Sequence, residues 1–115
     1  MSPTARSLKY LRSQGYHAYV VERWIPRARV RKDVAGFMDI LAWGGSPASL
    51  LAVQATTGTH VSDRVDKIVH GGLSDADQMA LVAWKAQGHW VCVHGWSLQG
   101  PRGKRKVWTL REVWL

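Results

Sequence analysis

The sequence predicts an α/β or α+β fold in which helices flank a central mixed β-sheet, and three observations lead to this expectation. Amphipathic helical segments occur at the start and in the middle of the chain. Segments rich in β-branched and aromatic residues lie before and after the central helices, separated by Gly and Pro turns. Two strands are apolar nearly throughout, which is typical of strands covered on both faces. The 115 residues suffice for about one domain, so residues 1–115 are expected to form a single domain.

The first half of the chain is predicted to contain one helix and three strands. Ser2 or Thr4 can cap a helix over about residues 4–14. The aromatic segment YHAYVVERW is expected to form the first strand, and the basic, unpatterned segment IPRARVRKD that follows is expected to be a loop. GFMDILAW and LLAVQAT are the second and third strands, paired as a hairpin around the turn GGSPAS.

The second half is predicted to contain two helices and then two strands. Ser62 is expected to cap the helix VSDRVDKIVH, and Ser74 the helix that ends at Gly88. HWVCVHGW is the fourth strand. After the basic turn QGPRGKRK, VWTLREVWL is the fifth, at an edge of the sheet. The predicted order of elements is therefore α-β-β-β-α-α-β-β.

The charge of the chain restricts its partners. It contains 16 Lys and Arg but 8 Asp and Glu, and such an excess favours a polyanion such as nucleic acid or an acidic membrane surface. No apolar run approaches the roughly 18 residues needed to span a bilayer, and the N-terminus has no signal-peptide core. A soluble cytoplasmic protein that does not enter a membrane is expected. Cys92 is the single cysteine, so neither an internal disulfide nor a structural zinc site is expected.

Two polar side chains lie within the most apolar strands. Asp39 shares a strand face with Leu41, and Gln54 shares one with Thr56 on the next strand. Burying an unpaired carboxylate costs several kcal/mol, so Asp39 is expected at the end of its strand in a wet site. The alternative is a structural carboxylate that makes a local hydrogen bond or an ion pair, for instance with Arg23.

This arrangement resembles the PD-(D/E)XK nuclease superfamily, in particular the small Holliday-junction-resolvase-like proteins of phages and archaea. The resemblance covers most of the chain and implies a restriction-endonuclease-like core. In that family, the Asp of the second strand and the acidic residue of an E-x-K pair on the third bind Mg²⁺, and the Lys positions or activates the attacking water. Here GFMDILA provides the Asp motif with Asp39, whereas LAVQAT has Gln54 and Thr56 in place of Glu and Lys.

The resemblance implies a site for Mg²⁺ or Mn²⁺ at Asp39 and Gln54 that other residues must complete. Gln54 offers a carbonyl oxygen without charge, and Thr56 cannot replace an ammonium group. Glu22 on the first strand and Asp33 in the loop are the expected additional carboxylates. Lys67 on the second helix is the nearest candidate for the displaced Lys; the alternative is a solvated helix side chain. The expected catalytic residues are Asp39, Gln54, Glu22 and Lys67.

Two basic runs and one helix flank predict a surface that binds DNA phosphates. The first run precedes the Asp strand, the second lies near the C-terminus, and residues 64 and 67 are neighbours on one flank of the second helix. Because no segment resembles a base-reading helix, recognition by shape and backbone is expected, as for a four-way junction. The predicted DNA-binding residues are Arg27, Arg29, Arg31, Lys32, Arg64, Lys67, Arg102, Lys104, Arg105 and Lys106.

Three functions remain open from the sequence. The first is a metal-dependent, structure-selective DNA endonuclease. The second is a catalytically degenerate relative that binds DNA without cutting it. The third is a basic protein-interaction module in which Asp39 is structural. A four-way junction has approximate two-fold symmetry, so a resolvase-like protein is expected to be a homodimer, and the apolar helix segment MALVAWKA offers a surface for it.

Overall fold

A computed structural model describes residues 1–46 and 48–115, so Pro47 in the predicted GGSPAS turn lies outside the described residues. The fold is α+β, with a mixed sheet and helices, as the sequence predicts. Its elements are α1 (Pro3–Ser13), β1 (His17–Val20), β2 (Arg23–Ile25), β3 (Val30–Lys32), β4 (Ile40–Trp43), β5 (Leu51–Thr57), a 3₁₀ turn (Gly58–His60), α2 (Val61–Val69), α3 (Asp75–Ala86), β6 (Trp90–Gln99) and β7 (Val107–Trp114).

The main sheet has five strands in the order β1-β4-β5-β6-β7. β5 and β6 are parallel, and the other neighbouring strands are antiparallel. The predicted edge position of the last strand, β7, is confirmed. Ile40 at the start of β4 lies opposite Val53, which places the residue before Ile40 beside Gln54.

Hydrophobic side chains cover both faces of this sheet, as the apolar strands predict. Because side chains alternate along a strand, β4, β5 and β6 each contribute to both cores. The core on the α1 face contains Leu11, Ala18, Ile40, Ala42, Leu51, Val53 and Cys92. The core on the α2 and α3 face contains Phe37, Met38, Ala52, Val61, Ile68, Leu81, Val91 and Val93.

A close contact fixes where α2 begins. A Cβ atom at Gly95 on β6 would clash with Cγ2 of Val61, so only glycine allows the first residue of α2 to pack so closely on the sheet. The prediction that Ser62 caps this helix is wrong, because the 3₁₀ turn leads directly into Val61 and the preceding residue is His60. The predicted caps Ser2 and Ser74 do accept hydrogen bonds from Ala5 and Asp77 respectively.

The predicted loop before the Asp strand is instead a hairpin. β2 and β3 form a separate two-stranded antiparallel sheet in which Trp24 lies opposite Arg31. The first strand also ends earlier than predicted, because the N–H groups of Val21 and Glu22 both donate to the carbonyl of Asp39. Glu22 therefore lies in the connection between β1 and β2. Within the described residues, none of the helices has the length and apolar character needed to cross a membrane.

Candidate metal and nucleic-acid site

Asp39 and Gln54 meet where β4 begins opposite the middle of β5. The backbone N–H of Asp39 donates to the carbonyl of Val53 at 2.9 Å. Its carboxylate Oδ2 accepts the N–H of Ala55 at 2.9 Å and Nε2 of Gln54 at 3.2 Å. Both side chains are buried, with 5% of Asp39 and 3% of Gln54 exposed. Within the described ranges Asp39 makes no ion pair, with Arg23 or otherwise.

Two further carboxylates complete a cluster around Gln54. Its Nε2 also donates to Oδ2 of Asp33 at 3.0 Å. Glu22 lines the same cavity of about 270 Å³, whose walls also include cationic side chains. The lining residues are Glu22, Arg31, Lys32, Asp33, Asp39, Gln54, Ala55 and Arg64. The two carboxylates expected from the sequence, Glu22 and Asp33, thus lie beside Asp39.

The environment of Asp39 favours its protonated form. Burial is the main cause that raises the pKa of Asp39 to about 7, and the negative charges of Glu22 and Asp33 add to it. The hydrogen bond from the Ala55 N–H acts in the opposite direction, because it stabilises the carboxylate. When Asp39 is ionised, burial and the repulsion from Glu22 and Asp33 therefore favour binding of a cation, as expected of a cation site.

The side-chain amide of Gln54 has an unpaired acceptor. Its nitrogen donates to two carboxylates, which fixes the orientation of the amide, whereas its buried Oε1 has no hydrogen-bond partner. Buried polar atoms without a partner are rare in folded proteins. Mg²⁺ and Mn²⁺ prefer carboxylate and carbonyl oxygens. The orphaned Oε1 and the neighbouring carboxylates are therefore donors of the kind that these ions bind.

Lys67 and Arg64 border the carboxylates from α2. Nζ of Lys67 lies 3.8 Å from Oδ2 of Asp33, and its side chain is half-buried. His60, Asp63, Arg64 and Lys67 line a second cavity of about 290 Å³, so Arg64 takes part in both cavities. The neighbouring positions of residues 64 and 67 on one helix flank agree with the sequence prediction.

The remaining predicted DNA-binding residues lie in the β2–β3 hairpin and the β6–β7 turn, and of these Arg31 and Lys32 line the cavity of Asp39. Arg27 and Arg29 are at the tip of the β2–β3 hairpin, while Arg31 forms an ion pair of 3.7 Å with Glu22 at its base. The C-terminal run is in the β6–β7 turn. Because Gln54 lies in register with Val93 and the turn starts after residue 99, this run is about 20 Å further along the sheet. The structure does not bring Arg102, Lys104, Arg105 and Lys106 to the carboxylates.

A second polar cluster, absent from the sequence predictions, lies on the opposite face of the sheet. One ligand atom from each of Cys92, His94 and Glu112 lies within 4.8 Å of the others, and no second group of three such side chains in residues 1–46 and 48–115 is as compact. Alternation on β6 brings Cys92 and His94 to one face, and His94 lies in register with Glu112 on β7. The i, i+2 spacing of Cys92 and His94 on one strand could have indicated that they share a face. The register that brings Glu112 to them could not be read from the sequence.

Hydrogen bonds already satisfy both ring nitrogens in this second cluster. His94 Nδ1 lies 2.9 Å from Oγ of Ser7, and Nε2 lies 2.9 Å from Oε2 of Glu112. Trp96 Nε1 can only donate to Ser7 Oγ, so the Ser7 hydroxyl proton is free to bond Nδ1, and Nε2 carries the ring proton. Burial lowers the pKa of His94 and raises that of the Cys92 thiol. The network, in which the His94 ring is neutral, joins α1 to the sheet.

Mg²⁺ needs a less compact set of protein ligands than such a cluster, because it usually keeps several waters and binds one or two carboxylates. The arrangement around Asp39 meets this condition.

Comparison of the chain with protein-family models, curated proteins and solved structures finds no match. A function for this protein must therefore be inferred from the geometry and chemistry of the site itself.

Proposed function

We propose that this protein is a metal-dependent, structure-selective DNA endonuclease that acts on branched DNA such as a four-way junction. One observation carries the proposal: the buried Asp39 and the orphaned Gln54 Oε1 lie in a carboxylate cluster bordered by cationic side chains. The cluster supplies oxygen ligands, and the cations supply contacts for phosphate. The sequence resemblance to PD-(D/E)XK nucleases, in the predicted order of elements and the Asp motif, supports the same assignment.

Asp39 and Gln54 are the residues that would hold the ion, with Asp33 and Glu22 as the neighbouring carboxylates. When bound, Mg²⁺ or Mn²⁺ supplies a water of lowered pKa and neutralises charge that develops on the phosphate. The Ala55 N–H orients the Asp39 carboxylate, and the Gln54 amide holds it next to Asp33. These bonds set the donor geometry through the backbone of β5 and through buried side chains.

Lys67 and Arg64 act on the phosphate rather than on the ion. Asp33 holds the Lys67 ammonium beside the cluster at 3.8 Å. Arg64 lies one turn earlier on the same helix flank and lines the cavity of Asp39. Their positive charges bind the phosphodiester next to the carboxylates and stabilise negative charge in the transition state.

Cleavage of a panel of labelled DNA substrates tests the proposal. Four-way junction, flap and linear duplex are compared with Mg²⁺, with Mn²⁺ and with a chelator. The proposal predicts cleavage that requires the metal and prefers the branched substrates. Binding without cleavage in every condition would favour a degenerate DNA-binding relative, which the replacement of Glu and Lys by Gln54 and Thr56 also suits. Absence of DNA binding at low as well as at high salt would indicate a protein-interaction module.

The basic residues next to the site are expected to determine affinity. Replacing Arg29, Arg31 and Lys32 with Ala should weaken junction binding and reduce the slope of log affinity against log salt by about 0.9 for each duplex phosphate that the protein no longer neutralises. Cleavage at saturating protein should persist, because none of the three is an expected ligand of the ion and saturation keeps the hairpin on the DNA despite the weaker binding. Fluorescence anisotropy over a range of salt concentrations measures the slope. An unchanged slope, with affinity within about twofold, would assign DNA binding to other basic residues.

A homodimer is part of the proposal, since two symmetry-related strands must be cut. Met79 and Val82 on the outer side of α3 are 73% and 61% exposed, which leaves an apolar surface for a second copy. Sedimentation at micromolar concentration should therefore give a dimer, and Val82→Glu should give a folded monomer. Gln14→Glu, an exposed change on the C-terminal side of α1, adds the same charge elsewhere and should leave the dimer intact. A wild-type monomer both with and without DNA would contradict this assembly.

A further inference from the structure

The β2–β3 hairpin, residues 23–32, forms a basic arm outside the main sheet. Both its strands and its turn are exposed almost throughout. Half of its residues are cationic, and it contains no Asp or Glu. An isolated two-stranded hairpin is at best marginally stable in water. A binding partner that contacts the arm is therefore expected to order it. The cationic residues are Arg23, Arg27, Arg29, Arg31 and Lys32.

The two faces of the basic arm carry different side chains. Trp24 and Arg31 are cross-strand partners on one face, whereas Ile25 and Val30 are partners on the other. The indole of Trp24 is 52% exposed, although it is the largest apolar group of the arm. Cations next to exposed apolar side chains suit a partner that combines phosphates with the apolar edges and methyl groups of bases.

The base of the basic arm is continuous with the carboxylate site. Glu22 immediately precedes β2 and Asp33 immediately follows β3, so the two ends of the arm are two of the residues beside Asp39. Arg31 within the arm forms the ion pair with Glu22, and Lys67 forms one with Asp33. A change in the position of the arm therefore changes the position of both carboxylates.

The tip of the arm holds a residue in an unfavourable backbone conformation. Arg29 has a φ of 50°, in the left-handed region that favours glycine, and its N–H donates to the carbonyl of Pro26 in the turn. A left-handed conformation is strained for a residue that carries a side chain. Strained backbone conformations are concentrated at functional sites, so the exposed Arg29 side chain is a candidate for contact with a partner. Arg29 lies in the four-residue turn at the end of the arm that is remote from its base.

We propose that the basic arm enters the major groove of duplex DNA beside the phosphate to be cut, and that its seating there fixes Glu22 and Asp33 next to Asp39. The major groove of B-DNA, about 12 Å wide, admits a two-stranded β-ribbon. This inference rests on the proposed nuclease function and specifies its substrate, which must have a duplex segment flanking the cut. A single strand offers no groove and does not seat the arm.

Hydrogen exchange without metal tests this inference independently of cleavage. The full-length protein is compared alone, with a 20-base-pair duplex and with a single strand of the same length. The duplex should slow exchange of the amides in residues 23–32 and also in residues 33–39, and the single strand should not. If the duplex binds but leaves the arm amides unchanged, the inference is wrong although DNA binding survives. If neither these DNAs nor a four-way junction bind, the proposed function itself fails, whereas binding of the junction alone contradicts only this inference.

Arg29→Gly isolates the tip of the arm, because glycine accepts the positive φ and removes only the side chain. The variant should be at least as stable to heat as the wild type. Its affinity for the duplex should fall by threefold or more, with a salt slope smaller by about 0.9. Lys9→Ala, the matched removal of an exposed cation on α1, should bind like the wild type. Equal weakening in the two variants would reduce the effect to net charge and contradict a role for the tip.

A duplex with a blocked major groove distinguishes groove entry from simple contact with the backbone. Duplexes that carry glucosylated hydroxymethylcytosine fill the major groove and leave the phosphates unchanged. The wild type should bind this DNA at least fivefold more weakly than the unmodified duplex, whereas Arg29→Gly should discriminate less. Equal wild-type affinity for both duplexes would show that the arm follows the backbone only, which overturns groove entry.

Discussion

Asp39→Asn should abolish metal-dependent cleavage while the DNA affinity measured in a chelator stays within about twofold of the wild type. The change removes the charge of the residue at the centre of the carboxylate cluster. The resulting loss of transition-state stabilisation should reach several kcal/mol, which corresponds to a rate at least about a thousandfold lower. Single-turnover cleavage of a four-way junction measures it. Full activity in this variant would end the nuclease assignment.

The same variant should alter stability in a pH-dependent way. Folding raises the pKa of Asp39 from 3.8 to about 7, so the native state holds this proton more tightly than the unfolded state. The resulting stabilisation is complete below pH 3.8 and is lost as the pH rises through about 7. Asn keeps an acceptor for the Ala55 N–H and carries no charge. At pH 8 without metal, Asp39→Asn should therefore increase the free energy of unfolding by on the order of 2–4 kcal/mol.

Denaturant unfolding between pH 4 and pH 8 checks this expectation, with and without Mg²⁺. Relative to Asp39→Asn, the wild type should lose stability towards pH 8, and Mg²⁺ should restore it, because the ion binds the deprotonated carboxylate. The stability of Asp39→Asn should not respond to Mg²⁺ at this site, and in both proteins stability should fall below pH 6.5, because burial lowers the pKa of His94. A variant that is less stable than the wild type at pH 8 would instead assign Asp39 a structural role.

Gln54→Glu should make the fold strongly dependent on a divalent ion. The Gln54 amide donates to both Asp33 and Asp39, and Glu removes these donors and adds another buried carboxylate. The free energy of unfolding at pH 8 without metal should fall by about 3 kcal/mol or more, since unpaired buried charge is costly. Saturating Mg²⁺ should recover most of this stability, because Glu is a better ligand than an amide.

Gln54→Leu is the matched control, as it removes the donors and the acceptor at similar volume without adding charge. It should be less destabilised than Gln54→Glu at pH 8, and Mg²⁺ should rescue it poorly. Thermal unfolding over a range of Mg²⁺ concentrations compares the three proteins. If Mg²⁺ stabilises the Glu and Leu variants equally, residue 54 is not a ligand of the ion.

The pairing of Asp39 with Gln54 was predictable from the sequence because it depends on two local rules. Side chains alternate along strands, and a hairpin brings consecutive strands into register, so polar residues within two joined apolar strands become neighbours. The position of Lys67 likewise follows from helix periodicity. Its ion pair with Asp33 does not, because it depends on how α2 packs on the sheet, which the contact between Gly95 and Val61 determines.

The basic arm and the His94 network could not be predicted for different physical reasons. The strands of the arm have three residues each, lie in solvent and lack the alternating pattern that burial imposes, and the left-handed Arg29 is invisible in the sequence. The bond between His94 and Glu112 depends on the register of β6 with β7, which a long basic turn leaves undetermined. Ser7 reaches His94 from another element, α1.

Metal-dependent cleavage of one labelled four-way junction, with the wild type and Asp39→Asn compared side by side, tests the central claim most directly. Both proteins are first shown to bind the junction equally in a chelator, and Mg²⁺ is then added at saturating protein. Paired cuts near the branch point are expected with the wild type and none with Asp39→Asn. An intact junction with both proteins, or equal cutting by both, would contradict the assignment of Asp39 to a metal-dependent nuclease site.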